Sequence, residues 1–201
     1  MANNSFKLIY GLQPAIGSPL LNERELIFAA QKGDTGAFKE LYEYYSDRIF
    51  TLLSYSLNDA SQAEDVLQTV FVKVFEALPF FRLESSFLTW IYRVALNECK
   101  NRKRRRKLFV PISSETEEYQ VDPGLAPDHQ HAVQQASRLI HDAVMDLKPK
   151  YRAVVVLKYL EELSYEEIAA VLGCSQGTVA TRLHRALAIL EKKLRRFRPV
   201  F

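Results

Sequence analysis

Apolar residues recur every three to four positions along most of the chain, and glycine is scarce, so the pattern predicts helices rather than strands. Asn22 and Glu25 are spaced as a capping pair and predict a helix that runs through about Lys32. Asp34 is placed to cap a second helix, which the apolar spacing extends to about Leu57. The pattern therefore predicts two successive helices after the N-terminal tail.

Two further helices follow a polar turn predicted at residues 59–63. The third helix is expected to end at Pro79, and the fourth to begin at Ser85 or Ser86 after the loop FFRLES. Their apolar faces are predicted to be Val66, Leu67, Val70, Phe71, Val74, Phe75 and Leu78 in the third helix, and Phe87, Trp90, Ile91, Val94 and Ala95 in the fourth.

The composition changes after the fourth helix. Residues 108–128 contain three prolines, one glycine, five acidic residues and no basic residue, which is typical of a linker. The sequence thus predicts an all-α protein with two small helical domains joined by a flexible linker. The predicted parts are an N-terminal tail at 1–21, a helical domain at 22–107, a linker at 108–131 and a second domain at 132–201.

The second domain begins with a helix whose apolar face is predicted to hold Ile140, Ala143, Val144 and Leu147, and Pro149 opens the next helix. The stretch AVVVLKYL at residues 153–160 has three successive β-branched residues, which by local propensity favour a strand. We predict a helix there because charged residues flank the stretch at helical spacing and no partner strand is predicted.

Residues 164–187 carry the most specific pattern in the chain. Ser164 and Glu167 are spaced as a capping box, Gly173 is placed to end a short helix, and Ser175 to cap the next. Two helices joined by a short turn with glycine form a helix-turn-helix, whose second helix enters the DNA major groove. The inner face of that second helix is predicted to hold Val179, Leu183 and Leu187.

The outward side chains of this second helix are candidates for DNA contact. Those near its start would face bases, namely Gln176, Thr178, Ala180, Thr181, His184 and Arg185. Arg182, Arg185, Lys192, Lys193, Arg195 and Arg196 would contact phosphates. The alternative is a plain helical hairpin with a solvated basic face. The capping residues, the glycine and the positive outer face together favour DNA binding.

The charge is concentrated in one place. The net charge is +3, yet Arg102–Lys107 are six consecutive cations. They continue the fourth helix, which also carries Tyr92, Arg93, Asn97 and Lys100 on faces that its predicted core does not need. The loop upstream adds Phe80, Phe81 and Arg82. Aromatic residues beside cations predict a site for single-stranded nucleic acid, with bases stacked and phosphates neutralised.

Other chemistry has little support in the sequence. Cys99 and Cys174 have no metal-ligand spacing and are expected to be reduced thiols. His129, His131 and His141 lack supporting ligands at metal-site spacing, and neither GxxxxGK nor HExxH occurs. No apolar run reaches the roughly 18 residues of a membrane span, and no signal peptide is evident at 1–21. We expect a cytoplasmic protein without cofactor, metal, membrane insertion or catalytic activity of its own.

Two long segments, DVLQTVFVKVFEALPFFRLESSFLTWIYRVALNECKNRKRRRK and LKPKYRAVVVLKYLEELSYEEIAAVLGCSQGTVATRLHRAL, resemble extracytoplasmic-function (ECF) sigma factors. These are the small two-domain promoter-recognition subunits of bacterial RNA polymerase. The resemblance spans roughly residues 22–107 and 132–196. It implies as partners core RNA polymerase, through its β′ and β subunits, promoter DNA and an anti-sigma factor that holds the protein inactive.

The resemblance also implies roles for individual residues. Asp65, Val66, Gln68, Val70, Phe71 and Lys73 resemble the surface that docks on the polymerase β′ subunit. Phe80, Phe81, Arg82, Ser85 and Ser86 match the loop that captures a base flipped out of the minus-ten element. Trp90, Arg93, Asn97, Lys100 and Arg102 match the helix that reads that element, with Arg104, Arg105 and Arg106 on the backbone. The minus-thirty-five element would meet Ser175, Gln176, Thr178, Ala180, Thr181, Arg182, His184 and Arg185.

Two departures from the family pattern bear on these roles. Thr69 stands where the family often has an acidic residue, and Ala180 with Thr181 replaces a commoner Lys/Arg-Ser pair, which removes a cation from the recognition helix. The alternative function is a stand-alone helix-turn-helix regulator that binds duplex DNA without polymerase. That alternative accounts for residues 164–196 and leaves residues 66–107 unexplained.

Overall fold

The computed structural model describes residues 22–109 and 128–195, with side chains described for residues 22–104 and 137–195. Every regular element in these ranges is helical and no strand occurs in them, which confirms the all-α prediction. The described helices fall into two compact units, one on each side of residues 110–127. The tail at 1–21 and most of the predicted linker at 108–131 lie outside the described residues, although helices reach into both ends of that linker.

The first unit contains four α-helices and one short 3₁₀ turn. They are α1 (Glu23–Gln31), α2 (Thr35–Leu57), α3 (Ala60–Ala77), the turn Leu78–Phe80 and α4 (Phe87–Phe109). The second unit contains α5 (Asp128–Met145), α6 (Pro149–Val155), a π-helical turn (Val156–Leu160), α7 (Tyr165–Leu172) and α8 (Gln176–Leu194).

Local side-chain caps set where most of these helices begin. The Asp34 carboxylate accepts hydrogen bonds from the backbone N–H groups of Gly36 at 2.8 Å and Ala37 at 3.0 Å, as predicted. Asp59 caps α3 in the same way, so that helix begins at Ala60, inside the region predicted as a turn. The predicted cap at Asn22 is wrong, because its side chain makes no capping hydrogen bond.

The core of the first unit lies where α2, α3 and α4 pack together. Its most deeply buried side chains include Leu41, Ile49, Leu52, Leu53, Val66, Val70, Val74, Leu78, Ile91 and Tyr92. The burial of Tyr92, which is 0% exposed, corrects the prediction that it lies on a face the core does not need. Helix α4 contacts two neighbouring helices, so its buried arc is wider than the single apolar stripe suggested.

Helix α1 is fastened to this core by a buried tyrosine. The Tyr45 hydroxyl donates to Glu23 Oε1 at 2.6 Å, and its ring packs edge-on against Phe87 with centroids 5.5 Å apart. Burial, followed by this hydrogen bond, raises the pKa of Tyr45 well above its usual range. The contact links α1, α2 and α4 in one cluster.

The β-branched run of the second unit is helical, as predicted. Val154, Val155, Val156 and Leu157 are all buried, since α6 and the π-helical turn are covered by α7 and α8. A run of four apolar residues is typical of a strand buried on both faces of a sheet, but here it belongs to a helix that is covered on several sides. Packing therefore overrides local propensity here.

Candidate nucleic-acid interface

An exposed aromatic residue stands at the turn between α3 and α4. The Phe80 side chain is 81% exposed at the end of the 3₁₀ turn, while Leu78 in the same turn is fully buried. The turn is closed by a hydrogen bond of 3.0 Å from the Phe81 N–H to the Leu78 carbonyl. Phe80 is thus presented to solvent by a turn whose base belongs to the core.

The neighbouring ring, Phe81, packs against α4. It stacks on Trp90 with centroids 4.7 Å apart and an interplanar angle of 24°, and it meets Phe87 edge-on at 5.6 Å. Both Phe81 and Trp90 remain half-buried. The pair therefore combines a structural contact with an aromatic surface open on one side, beside exposed Arg82.

A polar and cationic stripe begins next to Trp90 and follows α4. Arg93, Asn97, Lys100 and Arg104 are all exposed, and their spacing of four, three and four residues places them on one helix face. This geometry brings together residues that the sequence analysis assigned to one site. The side chains of Arg105 and Arg106 lie outside the described residues.

The first two members of the cationic run make contacts within the protein. Arg102 Nη2 lies 3.1 Å from Asp65 Oδ2 on α3. Lys103 Nζ donates to the Ser56 carbonyl at 2.6 Å, near the end of α2, where unpaired carbonyls favour a cation. These two cations fasten α4 to α2 and α3.

The serines at the start of α4 also have local roles. Ser86 Oγ accepts the Thr89 N–H at 3.1 Å and donates to Thr89 Oγ1 at 2.7 Å, which caps the helix. Ser86 is exposed and Ser85 is half-buried. The cap fixes the end of the loop that carries Phe80.

The predicted polymerase-docking residues on α3 divide into two groups. Val66, Val70 and Phe71 are 1%, 0% and 5% exposed, so these side chains belong to the core and have almost no surface for a partner. Because these three side chains are buried, the prediction that they contact the polymerase directly is corrected. Asp65, Gln68 and Lys73 are exposed, and so are Thr69 and Val72 between them.

Two of the exposed residues on α3 are ion-paired to α4. Asp65 pairs with Arg102, and Lys73 pairs with the carboxylate of Glu98, which is only 8% exposed. The face of α3 that is open to a partner is thus held in register with the stripe on α4. Neither contact could be inferred from the sequence, because the partners are 37 and 25 residues apart.

The helix-turn-helix forms as predicted. Ser164 and Glu167 complete a capping box, and Gly173 ends α7 in the left-handed conformation with φ of 63°. Ser175 Oγ accepts the Thr178 N–H at 3.2 Å at the start of α8. The inner face of α8 holds Val179, Leu183, Ala186 and Leu190, whereas the predicted Leu187 is 36% exposed.

The outer face of α8 presents most of its predicted DNA-contacting residues. Gln176, Thr181, His184 and Arg185 are exposed, whereas Thr178, Ala180 and Arg182 are half-buried. Three of the predicted cations have protein partners. Arg182 Nη1 lies 3.9 Å from Cys174 Sγ. Lys193 pairs with Asp146, and Arg195 Nη2 lies 3.0 Å from Glu191 Oε1. Arg185 lowers the pKa of the Tyr151 phenol.

The histidines give no support to a metal site. His141 is half-buried, and desolvation lowers its pKa. The side chains of His129 and His131 lie outside the described residues, and among those that are described no three potential ligands cluster as a metal site would require. Within the same ranges, no helix combines the length and apolarity needed to cross a membrane.

Comparison with known proteins agrees with this architecture. The family model for sigma-70 region 2 matches residues 41–109, and the model for sigma-70 region 4 matches residues 137–190. The chain is 33% identical over 180 residues to the ECF RNA polymerase sigma factor SigW of Bacillus subtilis, covering 86% of this chain and 96% of that protein. The chain belongs to the ECF sigma factor family.

Other known proteins resemble this ECF sigma factor in sequence or in fold. The ECF RNA polymerase sigma-E factor of Escherichia coli K12 is 31% identical over 185 residues, covering 88% of this chain and 96% of that protein. The structure of CnrH in complex with the cytosolic domain of CnrY shares the fold, with a TM-score of 0.63, 24% identity and coverage of 86% and 96%. The sigma factor RpoE of Bartonella quintana, solved with the anti-sigma factor NepR, gives a TM-score of 0.64 at 23% identity, covering 79% and 96%.

Proposed function

We propose that this ECF sigma factor binds core RNA polymerase through the exposed face of α3, opens the minus-ten element with the Phe80 turn and α4, and reads the minus-thirty-five element with α8. The observation that carries the proposal is the exposed Phe80 ring placed directly before the stripe of Arg93, Asn97, Lys100 and Arg104. Membership of the family supports this assignment, since it provides a partner and a reaction for both features.

The chemistry of strand opening suits the first unit. Extruding a base costs unstacking energy, which an aromatic surface offsets by stacking, while cations on the adjacent helix neutralise the phosphates of the opened strand. Phe80 supplies the exposed ring, and the α4 stripe supplies the cations along one line. Trp90 lies at the start of the stripe and backs the turn through its stack with Phe81.

The chemistry of duplex recognition suits α8. Its N-terminal face exposes Gln176, Thr181, His184 and Arg185, which can donate to or accept from base edges in the major groove. Further along the helix, exposed Lys192 can contact a phosphate, and Arg195 can do so by leaving its exposed pair with Glu191.

Docking on polymerase is assigned to the exposed side chains of α3, namely Asp65, Gln68, Thr69, Val72 and Lys73. As a specificity subunit the protein has no catalytic residues of its own and acts in the cytoplasm. An anti-sigma factor that covers the same surfaces is proposed as its regulator, because the sigma factor RpoE of Bartonella quintana, which shares the fold, was solved in complex with the anti-sigma factor NepR.

The test is reconstitution with purified bacterial core RNA polymerase, followed by run-off transcription on a genomic promoter library. Binding to core with new, sequence-selective initiation is the expected result. Duplex binding without polymerase association would instead support the stand-alone helix-turn-helix regulator. If the intact protein neither associates with polymerase nor binds duplex DNA, both interpretations are contradicted.

Substitution of the α4 stripe sharpens this test. Arg93→Ala with Lys100→Ala is expected to slow promoter opening and to reduce the salt dependence of single-strand binding by about 1.4 log units per log unit of salt, at about 0.7 for each lost phosphate contact. Lys39→Ala is the control, because Lys39 is an exposed cation of the same unit that pairs with Glu43 on its own helix. An equal effect of the control would contradict the assignment of the stripe.

A further inference from the structure

A side chain outside all the assigned surfaces holds the turn that presents Phe80. Gln31, the last residue of α1, is half-buried and donates from Nε2 to the Leu78 carbonyl at 3.1 Å and to the Phe81 carbonyl at 2.8 Å. Both partners are carbonyl oxygens, so the amide nitrogen is the atom that must face them. The two contacts enclose Phe80 in sequence, one on each side.

The rest of the turn is fixed by neighbouring contacts. The Leu78 side chain is fully buried, the Phe81 N–H closes the turn onto the Leu78 carbonyl, and the Phe81 ring stacks on Trp90. The Phe80 ring is left projecting, 81% exposed. Gln31 therefore ties this turn to α1 by two hydrogen bonds, across 47 and 50 residues of sequence.

We infer that Gln31 is a positioning residue for strand capture, which acts by holding the Phe80 turn in its base-stacking conformation before DNA arrives. The inference rests on the proposed function of Phe80. A turn ordered in advance does not have to lose conformational freedom on binding, so the contact of the ring with an extruded base is stronger. Without the amide, both carbonyls lose a donor, and the turn is held less firmly before DNA binds.

The experiment measures how tightly the reconstituted polymerase–sigma complex binds a forked promoter fragment. The minus-ten segment of this fragment is single-stranded, and its sequence is taken from a promoter selected in the run-off transcription experiment. Gln31→Met keeps the length of the side chain and removes the donor. We expect it to weaken capture by about fivefold to tenfold, the effect of losing one to two neutral hydrogen bonds. Binding to core polymerase and to the upstream duplex element should be unchanged.

Gln62→Met is the matched control. Gln62 is also a half-buried glutamine of the first unit, but its side-chain amide contacts Asp59 within the same helix turn and not the Phe80 turn. It should capture the fork as the wild type does. An equal loss in this control would overturn the inference.

Combining Gln31→Met with Phe80→Ala separates positioning from a general structural role. Phe80→Ala alone is expected to weaken capture by about tenfold, for the loss of one base–aromatic stack. If Gln31 acts through Phe80, then Gln31→Met causes little further loss in the Phe80→Ala protein. Full additivity of the two losses would overturn the inference, and so would normal capture by Gln31→Met.

Failure of the proposed function gives a different result, since the wild-type complex would then not bind the fork selectively at all. If Gln31→Met does not fold, as judged by circular dichroism, Gln31→Asn takes its place in every arm. Asparagine keeps the amide and is one methylene shorter, so it remains polar but does not reach both carbonyls. Binding of the forked fragment by Gln31→Asn, alone and combined with Phe80→Ala, then tests the inference by the same criteria.

Discussion

The ion pair between Lys73 and Glu98 allows a quantitative test of how α3 and α4 are held together. Glu98 lies on the buried side of α4, with its side chain 11% exposed, and Lys73 reaches it from α3 with a side chain that is 46% exposed. Lys73→Met retains most of the aliphatic stem and removes the ammonium group. The Glu98 carboxylate is then left buried without its ion-pair partner.

The expected cost lies between two limits. Breaking a fully buried ion pair by removing one partner costs about 3–5 kcal/mol, whereas an exposed pair contributes about 0–1 kcal/mol. Because Lys73 is nearly half-exposed and Glu98 is not, we expect a loss of about 2 kcal/mol in the free energy of unfolding. For a unit of this size that loss corresponds to a decrease in Tm of roughly 10 °C.

The single tryptophan of the chain makes the assay specific. Trp90 lies in the first unit, so its fluorescence during urea denaturation reports the unfolding of that unit alone. Glu98→Gln should cost less than Lys73→Met, and the double variant should be more stable than the sum of the two losses implies. Lys39→Met is the control, since the Lys39–Glu43 pair is exposed, with 3.6 Å between Nζ and Oε1, and should contribute under about 0.5 kcal/mol.

The reasoning is refuted if Lys73→Met costs no more than Lys39→Met, or if the two losses are simply additive. The same variants also resolve the proposed docking role of Lys73. If the double variant regains stability but not binding to core polymerase, Lys73 contacts the polymerase directly. If both recover together, its contribution to docking is structural.

Three further predictions concern stability and reactivity. Gly173→Ala should destabilise the second unit by about 1–2 kcal/mol because φ is 63° there, although no heavy atom lies within 4 Å of the added Cβ. Gly177→Ala should instead stabilise the second unit by up to about 1 kcal/mol, because Gly177 is helical and the heavy atom nearest to the added Cβ is 4.0 Å away. Hydrogen exchange across α7 and α8 measures both stability changes, and a change of the same sign in the two variants would contradict the prediction. Burial raises the pKa of Cys99 to about 11, so in the native protein at pH 8 a thiol reagent should label half-buried Cys174 first and Cys99 only on unfolding, as peptide mass spectrometry would show. Burial raises the pKa of Tyr55 to about 12. The stability that the buried neutral phenol contributes is therefore complete below pH 10 and is lost as the pH rises towards 12. A first unit that is as stable at pH 12 as at pH 9 would contradict this prediction.

The helix boundaries that the sequence predicted well are those fixed by contacts a few residues apart. The caps at Asp34 and Ser175, the capping box of Ser164 and Glu167 and the left-handed Gly173 all involve neighbours in sequence. Asn22 fails as a cap for a conformational reason. Its φ of −123° and ψ of 31° differ from the extended backbone that directs an N-cap side chain towards the first helical turn.

The features that the sequence did not predict depend on residues far apart in the chain. Tyr92 has a polar hydroxyl and falls outside the apolar stripe, yet α4 is covered on two sides and the ring is fully buried. Val66, Val70 and Phe71 match the family pattern of a docking helix, but a pattern of residue types does not separate the side chains that meet a partner from those that support the helix from beneath. Gln31 shows no signal in the sequence, because its partners are 47 and 50 residues away.

The six cations at the end of α4 illustrate the same limit in a way that affects function. As a sequence they suggest an uninterrupted track for phosphates. In the structure Arg102 is paired to Asp65 on α3 and Lys103 to a carbonyl near the end of α2, whereas Arg93, Lys100 and Arg104 share an exposed stripe with Asn97. A salt dependence of strand capture calculated from all six cations would therefore be too steep, because two of them already have partners within the protein. Two cations of the run thus anchor the C-terminal part of α4 to its neighbours, and Arg104 extends the exposed stripe that is proposed to face DNA.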